Sequence, residues 1–368
     1  MSKNNLSQTS TQLANDGPDG TQKKTINLVF GSGGSKAILA GVGAILAIKQ
    51  ADLNIATIGG VSGGSIPAYL LASDMAIRPM VNQVLTVDFM SMVKPKTGLF
   101  RRLLALLYKN QHEKKRTREG VYTWYDMKAH FDMLSNDQWP VNLYILACCD
   151  HGQIVFDKAG VTKYRDLGGK EILDDEEESV GLAISASCAV PGLIDLVPYN
   201  GEWLFDGALG NDGVCPTSPV TRHYGHPQST VVAFDVGEDA IKSARWFRLW
   251  WQLSCGSGDD TCGPFAGTHP DENQGRIVIN PPPIRGYHAL KFNLNRNQKW
   301  IAIITGFLAT VDRLGKAGLI DVRQQIKLYE QYEACGKLLK SRLTGLKFTR
   351  AAEHIFFGEP LMFGKKKK

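Results

Sequence analysis

A unit of strand, glycine-rich loop and helix occurs twice in succession early in the chain, and this repetition constrains the fold more than any other feature. Residues 25–30 form a β-type run, which is followed by the loop Gly31-Ser32-Gly33-Gly34-Ser35 and by a helical pattern over residues 36–50. Residues 55–58 then have the pattern of a strand, residues 59–64 that of a tight turn and residues 65–73 that of a helix. The repeated order predicts an α/β fold with a largely parallel sheet covered by helices.

The rest of the chain continues this pattern as one large domain. Residues 75–134 are mostly helical in pattern, with apolar side chains mainly on one face, which indicates a cap-like helical insertion. Residues 254–274 predict a mobile surface loop or lid, and residues 300–339 predict an amphipathic helix. Further strands are predicted at residues 141–148, 153–156, 201–205 and 230–236. The expected division is a disordered tail at 1–24, a domain at 25–346 and a C-terminal segment at 347–368.

Composition is that of an ordinary globular protein, with 43% hydrophobic and 21% charged residues. The longest nearly apolar stretches have about twelve residues where a bilayer needs roughly twenty, so no transmembrane helix is expected. Residues 1–24 lack the apolar core of a signal peptide, and seven cysteines without a CxxC pattern favour a reducing compartment. We therefore expect a cytoplasmic protein, peripheral to membranes.

Positive charge is concentrated in two places. The formal net charge is +6, and residues 93–119 alone hold nine Lys or Arg against two Glu. Four more lysines, Lys365 to Lys368, end the chain. Contact with a membrane or another polyanion is one interpretation, and solvated faces are the other. The residues proposed for that contact are Arg101, Arg102, Lys114, Lys115 and Arg116.

The second loop contains a candidate nucleophile. Gly60-Val61-Ser62-Gly63-Gly64 fits GxSxG, in which glycines let a strand turn sharply into a helix and leave the serine exposed. The preceding loop, from Gly31 to Gly34, suits an oxyanion hole, because glycine lets backbone N–H groups approach a developing negative charge. Gly33 and Gly34 are the expected donors. A nucleotide-binding loop is disfavoured, since neither GxGxxG nor GK[ST] is present.

A serine nucleophile needs a base, and several residues downstream qualify. Asp206 in Phe205-Asp206-Gly207-Ala208 is one candidate. The histidines are the others: His223, His226, His269 and His288.

The glycine loop, the GxSxG elbow and the Asp-Gly-Ala turn, in that order, resemble the patatin-like phospholipases, and bacterial members in particular. The segments at 185–192 and 199–208 are also similar to the family's approach to its catalytic aspartate. The resemblance extends from about residue 26 to 339. Lys36 matches the family's GGGx[RK]G loop, whereas Ser32 and Ala37 replace its outer glycines.

The resemblance implies a three-layer α/β/α fold and a phospholipase A type activity that uses a Ser-Asp dyad and an acyl-enzyme. Ser62 would be the nucleophile, Asp206 the base, and Gly33 and Gly34 the oxyanion hole, with no cofactor or metal required. The substrate would be a phospholipid membrane surface. Bacterial relatives include toxins activated by a host protein and antiviral effectors activated by a cyclic nucleotide, so an activator and an effector role are also implied.

Two other functions stay open on the sequence. An α/β-hydrolase esterase would use a Ser-His-Asp triad, and the order Ser62, Asp206, His288 is compatible with that fold, as is His269 in place of His288. A lipid- or nucleotide-binding module of the same fold, without turnover, belongs to a different class.

Overall fold

The computed structural model describes residues 24–95, 118–136, 138–165, 169–173, 178–210, 212–236, 275–284, 287 and 291–359. The insertion's basic residues Arg101, Arg102, Lys114, Lys115 and Arg116, the predicted lid at 254–274, His269, His288 and the lysine tail lie outside these ranges.

A ten-stranded sheet forms the centre of the molecule. The strands of the described residues, of which all but β3 and β4 belong to this sheet, are β1 (Thr25–Phe30), β2 (Asn54–Val61), β3 (Lys94–Pro95), β4 (Tyr122–Thr123), β5 (Leu143–Cys149), β6 (Gly152–Asp157), β7 (Gly160–Arg165), β8 (Lys170–Leu173), β9 (Val197–Tyr199), β10 (Glu202–Asp206), β11 (Val231–Phe234) and β12 (Ile277–Ile279). The main path runs β12-β11-β1-β2-β5-β6-β7-β8, β10 pairs with β5 and β9, and β3 and β4 form a separate ribbon.

Helices cover the sheet. They are α1 (Gly34–Ala51), α2 (Ser65–Ala72), α3 (Ile77–Thr86), α4 (Tyr125–Ser135), α5 (Val180–Ser187), α6 (Ser218–Arg222), α7 (Arg296–Lys316), α8 (Ile326–Lys340) and α9 (Gly345–Phe357). The larger core lies between the sheet and α1, α2, α5 and α7, and a smaller core on the other face includes Val220 of α6. None of the helices in the described ranges is both long and apolar enough to cross a bilayer.

The predicted α/β class is confirmed, and the sheet has parallel order where it matters for the site. Strands β12, β11, β1, β2 and β5 are parallel neighbours. β1 is buried over five of its six residues, as expected for a strand with both faces covered. Beyond β5 the sheet continues through the antiparallel strands β6, β7 and β8, which the strand–helix repeat did not predict.

The central pair of helices, α1 and α7, crosses at two glycines. A Cβ atom at Gly43 would lie 1.9 Å from the carbonyl oxygen of Ile303, and one at Gly306 would lie 2.0 Å from that of Ala40. The two backbones are therefore in direct contact. This crossing fixes α7, and with it the C-terminal helices, onto the sheet layer.

Several predicted bounds differ from the structure. β2 continues to Val61, so residues 59–61 belong to the strand and not to a turn. The predicted helix at 300–339 is two helices, α7 and α8, because Gly318 takes the left-handed conformation that ends α7. The expected domain boundary at 346 falls inside α9, whose Phe348 and Phe356 are buried in the core.

Candidate active site

Ser62 occupies a strained turn at the carboxyl end of a central parallel strand. Its φ of +53° lies in the left-handed region, where a residue other than glycine costs about 1–3 kcal/mol. β2 ends at Val61, a single 3₁₀ turn covers Ser62–Gly64, and α2 begins at Ser65. Sites of α/β proteins lie at this edge of the sheet. The strand, turn and helix predicted around GxSxG are present, but Ser62 is buried where the motif predicted an exposed serine.

The glycines of the elbow are needed for close contact with the glycine loop. A Cβ atom at Gly63 would lie 2.4 Å from the carbonyl oxygen of Gly34, and one at Gly64 would lie 2.4 Å from that of Gly31. Within the elbow itself, a Cβ atom at Gly60 of β2 would lie 2.5 Å from the Cα atom of Ser65, which begins α2. The two loops of the repeated unit therefore form one packed surface.

The elbow's backbone is held by two other serines. The Ser62 N–H donates to Oγ of Ser187 over 2.7 Å, and the Ser187 hydroxyl donates to the carbonyl of Leu146 over 2.6 Å. The hydroxyl of Ser65 donates to the Ser62 carbonyl over 2.6 Å. Ser187 was not singled out in the sequence, although it lies in the 185–192 segment that carries the family resemblance. Its hydrogen bonds tie α5 and β5 to the turn.

Asp206 meets Ser62 directly. The Ser62 hydroxyl donates to Oδ2 of Asp206 over 2.6 Å, while Oδ1 accepts the N–H of Ala208 over 2.9 Å. Asp206 ends β10, and both residues are buried, at 7% exposure for Ser62 and 3% for Asp206. Gly207 is required next to it, because a Cβ atom there would lie 2.3 Å from the Leu146 carbonyl oxygen.

Burial makes Asp206 a stronger base than an ordinary aspartate. Removal from water raises its pKa to about 7, although the hydrogen bonds from Ser62 and Ala208 act in the opposite direction. A base with a pKa near the working pH is well matched to accepting a hydroxyl proton. The arrangement can therefore activate Ser62 without a histidine.

The glycine loop presents two backbone donors. Its first two N–H groups are occupied, Gly31 by the carbonyl of Phe234 at 2.9 Å and Ser32 by that of Val214 at 2.7 Å. Among the described residues, no acceptor is found for the N–H groups of Gly33 and Gly34, the last of which begins α1. The helix dipole adds positive potential at the same place. This geometry is that of an anion-binding loop.

The loop's departures from the family motif fit the backbone. Gly33 and Gly34 have φ of +152° and +54°, so glycine is required at both. Ser32 and Ala37 do not have positive φ, and side chains fit there without strain. The ammonium of Lys36 donates to the carbonyl of Val236 over 2.7 Å in a buried contact, which holds α1 to the chain after β11.

The histidine candidates within the described ranges are engaged elsewhere. His223 contacts Asp157 through Nε2 at 2.8 Å and the hydroxyl of Tyr164 through Nδ1 at 2.6 Å. His226 stacks on Tyr224. In the part of the chain that the structure describes, neither forms a hydrogen bond with Ser62, and no three His, Cys, Asp or Glu side chains are grouped to bind a metal.

Fold and site together define an α/β protein with a serine at a strand-to-helix elbow, a buried aspartate facing it and a glycine-rich loop beside it. The family model of the patatin-like phospholipases matches residues 28–219, which is more than half of the 368 residues. The chain belongs to this family, and so to the lipid acyl hydrolases.

A solved structure is also similar to the chain. The crystal structure of VipD from Legionella pneumophila has 13% sequence identity and a TM-score of 0.41, and the match covers 81% of this chain and 67% of that one. At this level the likeness says nothing about substrate or activity.

Proposed function

We propose that this protein is a phospholipase A type enzyme that cleaves acyl esters of glycerophospholipids by a Ser62–Asp206 dyad. The observation that carries the proposal is the 2.6 Å hydrogen bond from the Ser62 hydroxyl to the buried Asp206 carboxylate. Family membership supports the class of substrate.

In the first half-reaction, Ser62 Oγ attacks the ester carbonyl carbon while Asp206 accepts the hydroxyl proton. The carbonyl oxygen becomes an oxyanion, which accepts hydrogen bonds from the N–H groups of Gly33 and Gly34. The C–O bond to the lysophospholipid then breaks, and Asp206 returns the proton to the leaving oxygen. The loss of one oxyanion donor typically costs about 2.7–4 kcal/mol, so the loop carries much of the catalysis.

In the second half-reaction, water attacks the acyl-enzyme at the same carbonyl carbon. Asp206 accepts a proton from the water, the same two N–H groups stabilise the oxyanion, and the fatty acid leaves as Ser62 regains its proton. These two half-reactions require no cofactor.

The direct test is Ser62→Ala, assayed by fatty acid release from phospholipid vesicles. Activity should fall to background, and labelling by a fluorophosphonate probe should disappear. Ser73→Ala is the control, because Ser73 lies just past the other end of α2 and should be silent. Acyl release that persists in Ser62→Ala would refute the nucleophile.

The same assay separates the alternatives. If the protein were a binding module without turnover, the fluorophosphonate probe would not label the native protein. A triad enzyme would lose hydrolysis in His288→Ala or His269→Ala, whereas the dyad should retain it in both.

The cellular setting belongs to the proposal as well. We propose a cytoplasmic enzyme, peripheral to membranes and acting as a regulated bacterial effector or toxin, on the basis of the family resemblance and the basic segments. The activator would be a cyclic nucleotide or a host protein. Acyl release by the pure protein, with and without each of these, tests that part: activity unaffected by both would count against regulation.

A further inference from the structure

We infer that the tip of the α8–α9 hairpin is a docking surface for an anionic phospholipid bilayer. The tip is defined here as residues 339–347, which end α8, form the connection and begin α9. The inference deepens the proposed function, and rests on it in so far as the bilayer is the surface that holds the substrate.

The tip exposes three leucines, whereas the residues on either side of it bury their apolar side chains. Every residue from 339 to 347 is exposed, including Leu339 at 36%, Leu343 at 41% and Leu346 at 63%. The next turns behave differently, since Leu338 and Phe348 are buried in the core. The hairpin is therefore packed into the core directly behind its tip and presents leucines at its end.

Basic residues lie on both sides of these leucines in the sequence. Between Glu333 and Glu353 the sequence holds five basic residues and no acidic one. Lys337 pairs with Glu333 at 3.3 Å. For the other four, no carboxylate lies within ion-pair distance among the described residues: Lys340, Arg342, Lys347 and Arg350.

This combination fits a bilayer better than other occupants. Leucines gain free energy by leaving water for the acyl boundary, while lysine and arginine remain beside anionic headgroups. A soluble polyanion would use the cations but leave the leucines in water. A second copy of the chain would bring like charges together, which is unfavourable.

The test measures binding apart from catalysis. In a Ser62→Ala background, which leaves vesicles intact, the tip variant replaces Arg342 and Lys347 by Gln and Leu343 and Leu346 by Ser. The control replaces Lys158 and Lys170 by Gln and the exposed Val141 and Ile172 by Ser, which removes the same numbers of cations and aliphatic side chains elsewhere. Both variants retain the basic segment and the lysine tail.

Cosedimentation is compared for phosphatidylcholine vesicles with and without phosphatidylglycerol. We expect the tip variant to bind the anionic vesicles about tenfold more weakly, since each cation near such a surface contributes measurably, and the control to change by less than about twofold. Equal binding by both variants would overturn the inference. Because all the changed side chains are exposed, thermal unfolding should match that of the parent.

Two further measurements identify the occupant. Leu343→Ser with Leu346→Ser alone should weaken vesicle binding but leave binding of a single-stranded oligonucleotide unchanged; no effect on vesicles would indicate a soluble polyanion and overturn the inference. Light scattering that shows a dimer for the parent and a monomer for the tip variant would indicate self-association instead. Hydrolysis of a short soluble ester by the tip variant with Ser62 intact should be normal, so a failed docking result and a failed catalytic proposal give different patterns.

Discussion

Two buried aspartates, each the last residue of a strand that pairs with β5, have opposite properties. Asp206 ends β10 and Asp157 ends β6, and both strands pair antiparallel with β5. Burial raises the pKa of Asp206 to about 7. Burial acts on Asp157 in the same direction, but hydrogen bonds from His223, Tyr224 and the Ala159 N–H outweigh it, and its pKa is lowered.

The difference lies in the number and kind of donors. Asp206 receives one hydroxyl and one backbone N–H, which leaves its charged form poorly stabilised. Asp157 receives three donors, one of them an imidazole. A buried carboxylate with few donors is prepared to take a proton, whereas one with many is a fixed structural anion.

The largest expected effect comes from Asp206→Asn. Loss of the base should lower acyl release by about a thousandfold or more, in the range of general-base contributions. The variant should also be more stable than the parent above about pH 7, because the raised pKa means that folded Asp206 carries a poorly solvated charge there. That advantage should vanish as the pH falls toward the ordinary value of 3.8. Chemical denaturation at several pH values measures this, and residual activity near the parent's would remove Asp206 from the mechanism.

The next effect is the pH profile of the parent enzyme. The base must be deprotonated, so kcat/KM for a soluble ester should fall as the pH drops through about 7, by about tenfold per unit. An ordinary aspartate would sustain activity to near pH 4. A rate that is flat from neutrality down to that value would contradict the raised pKa.

Asp157→Asn should do the reverse of Asp206→Asn. It weakens the hydrogen bonds with His223 and Tyr224, and we expect a loss of about 2 kcal/mol in the free energy of unfolding with acyl release nearly unchanged. Since the pKa of Asp157 is lowered, the loss should be present at neutral pH and shrink as the pH falls below the ordinary value near 3.8. If activity drops as far as in Asp206→Asn, the division between the two aspartates is wrong.

The smallest effect concerns Ser187, whose hydroxyl oxygen accepts the backbone N–H of Ser62, the proposed nucleophile. Ser187→Ala leaves the Ser62 N–H without its acceptor, and kcat should fall about tenfold with little change in KM. Ser185→Ala is the matched control, because Ser185 lies one half-turn earlier on α5, is equally buried, and its hydroxyl has no hydrogen-bond partner among the described residues. Equal kcat values for the two variants would show that Ser187 does not position Ser62.

What could be predicted from the sequence was local. The elbow and the glycine loop are read from consecutive residues, because strand, turn and helix each have a short-range pattern. The end of α7 also had a local signal in Gly318. That signal was overlooked because the apolar pattern over residues 300–339 was interpreted as one continuous helix. The role of Ser187 depends on a contact between residues 125 positions apart, and nothing in the local sequence specifies it.

Asp206 is an intermediate case. Its turn could be recognised, but four histidines competed for the same role, and family resemblance favoured the aspartate. Strand β6 lies over the strand predicted at 153–156. Strands β7 and β8 were not predicted, because charged residues such as Lys163 and Lys170 interrupt the apolar pattern on which a strand prediction depends.

The contact between Gly34 and Gly63 has a consequence for how this site changes over time. The turn at Ser62 and the glycine loop are in van der Waals contact, so a single methyl group added at Gly63 would displace the glycine loop. Neither loop can accumulate substitutions independently of its neighbour. The two loops are therefore expected to be conserved together or lost together in evolution, even where the surrounding helices diverge.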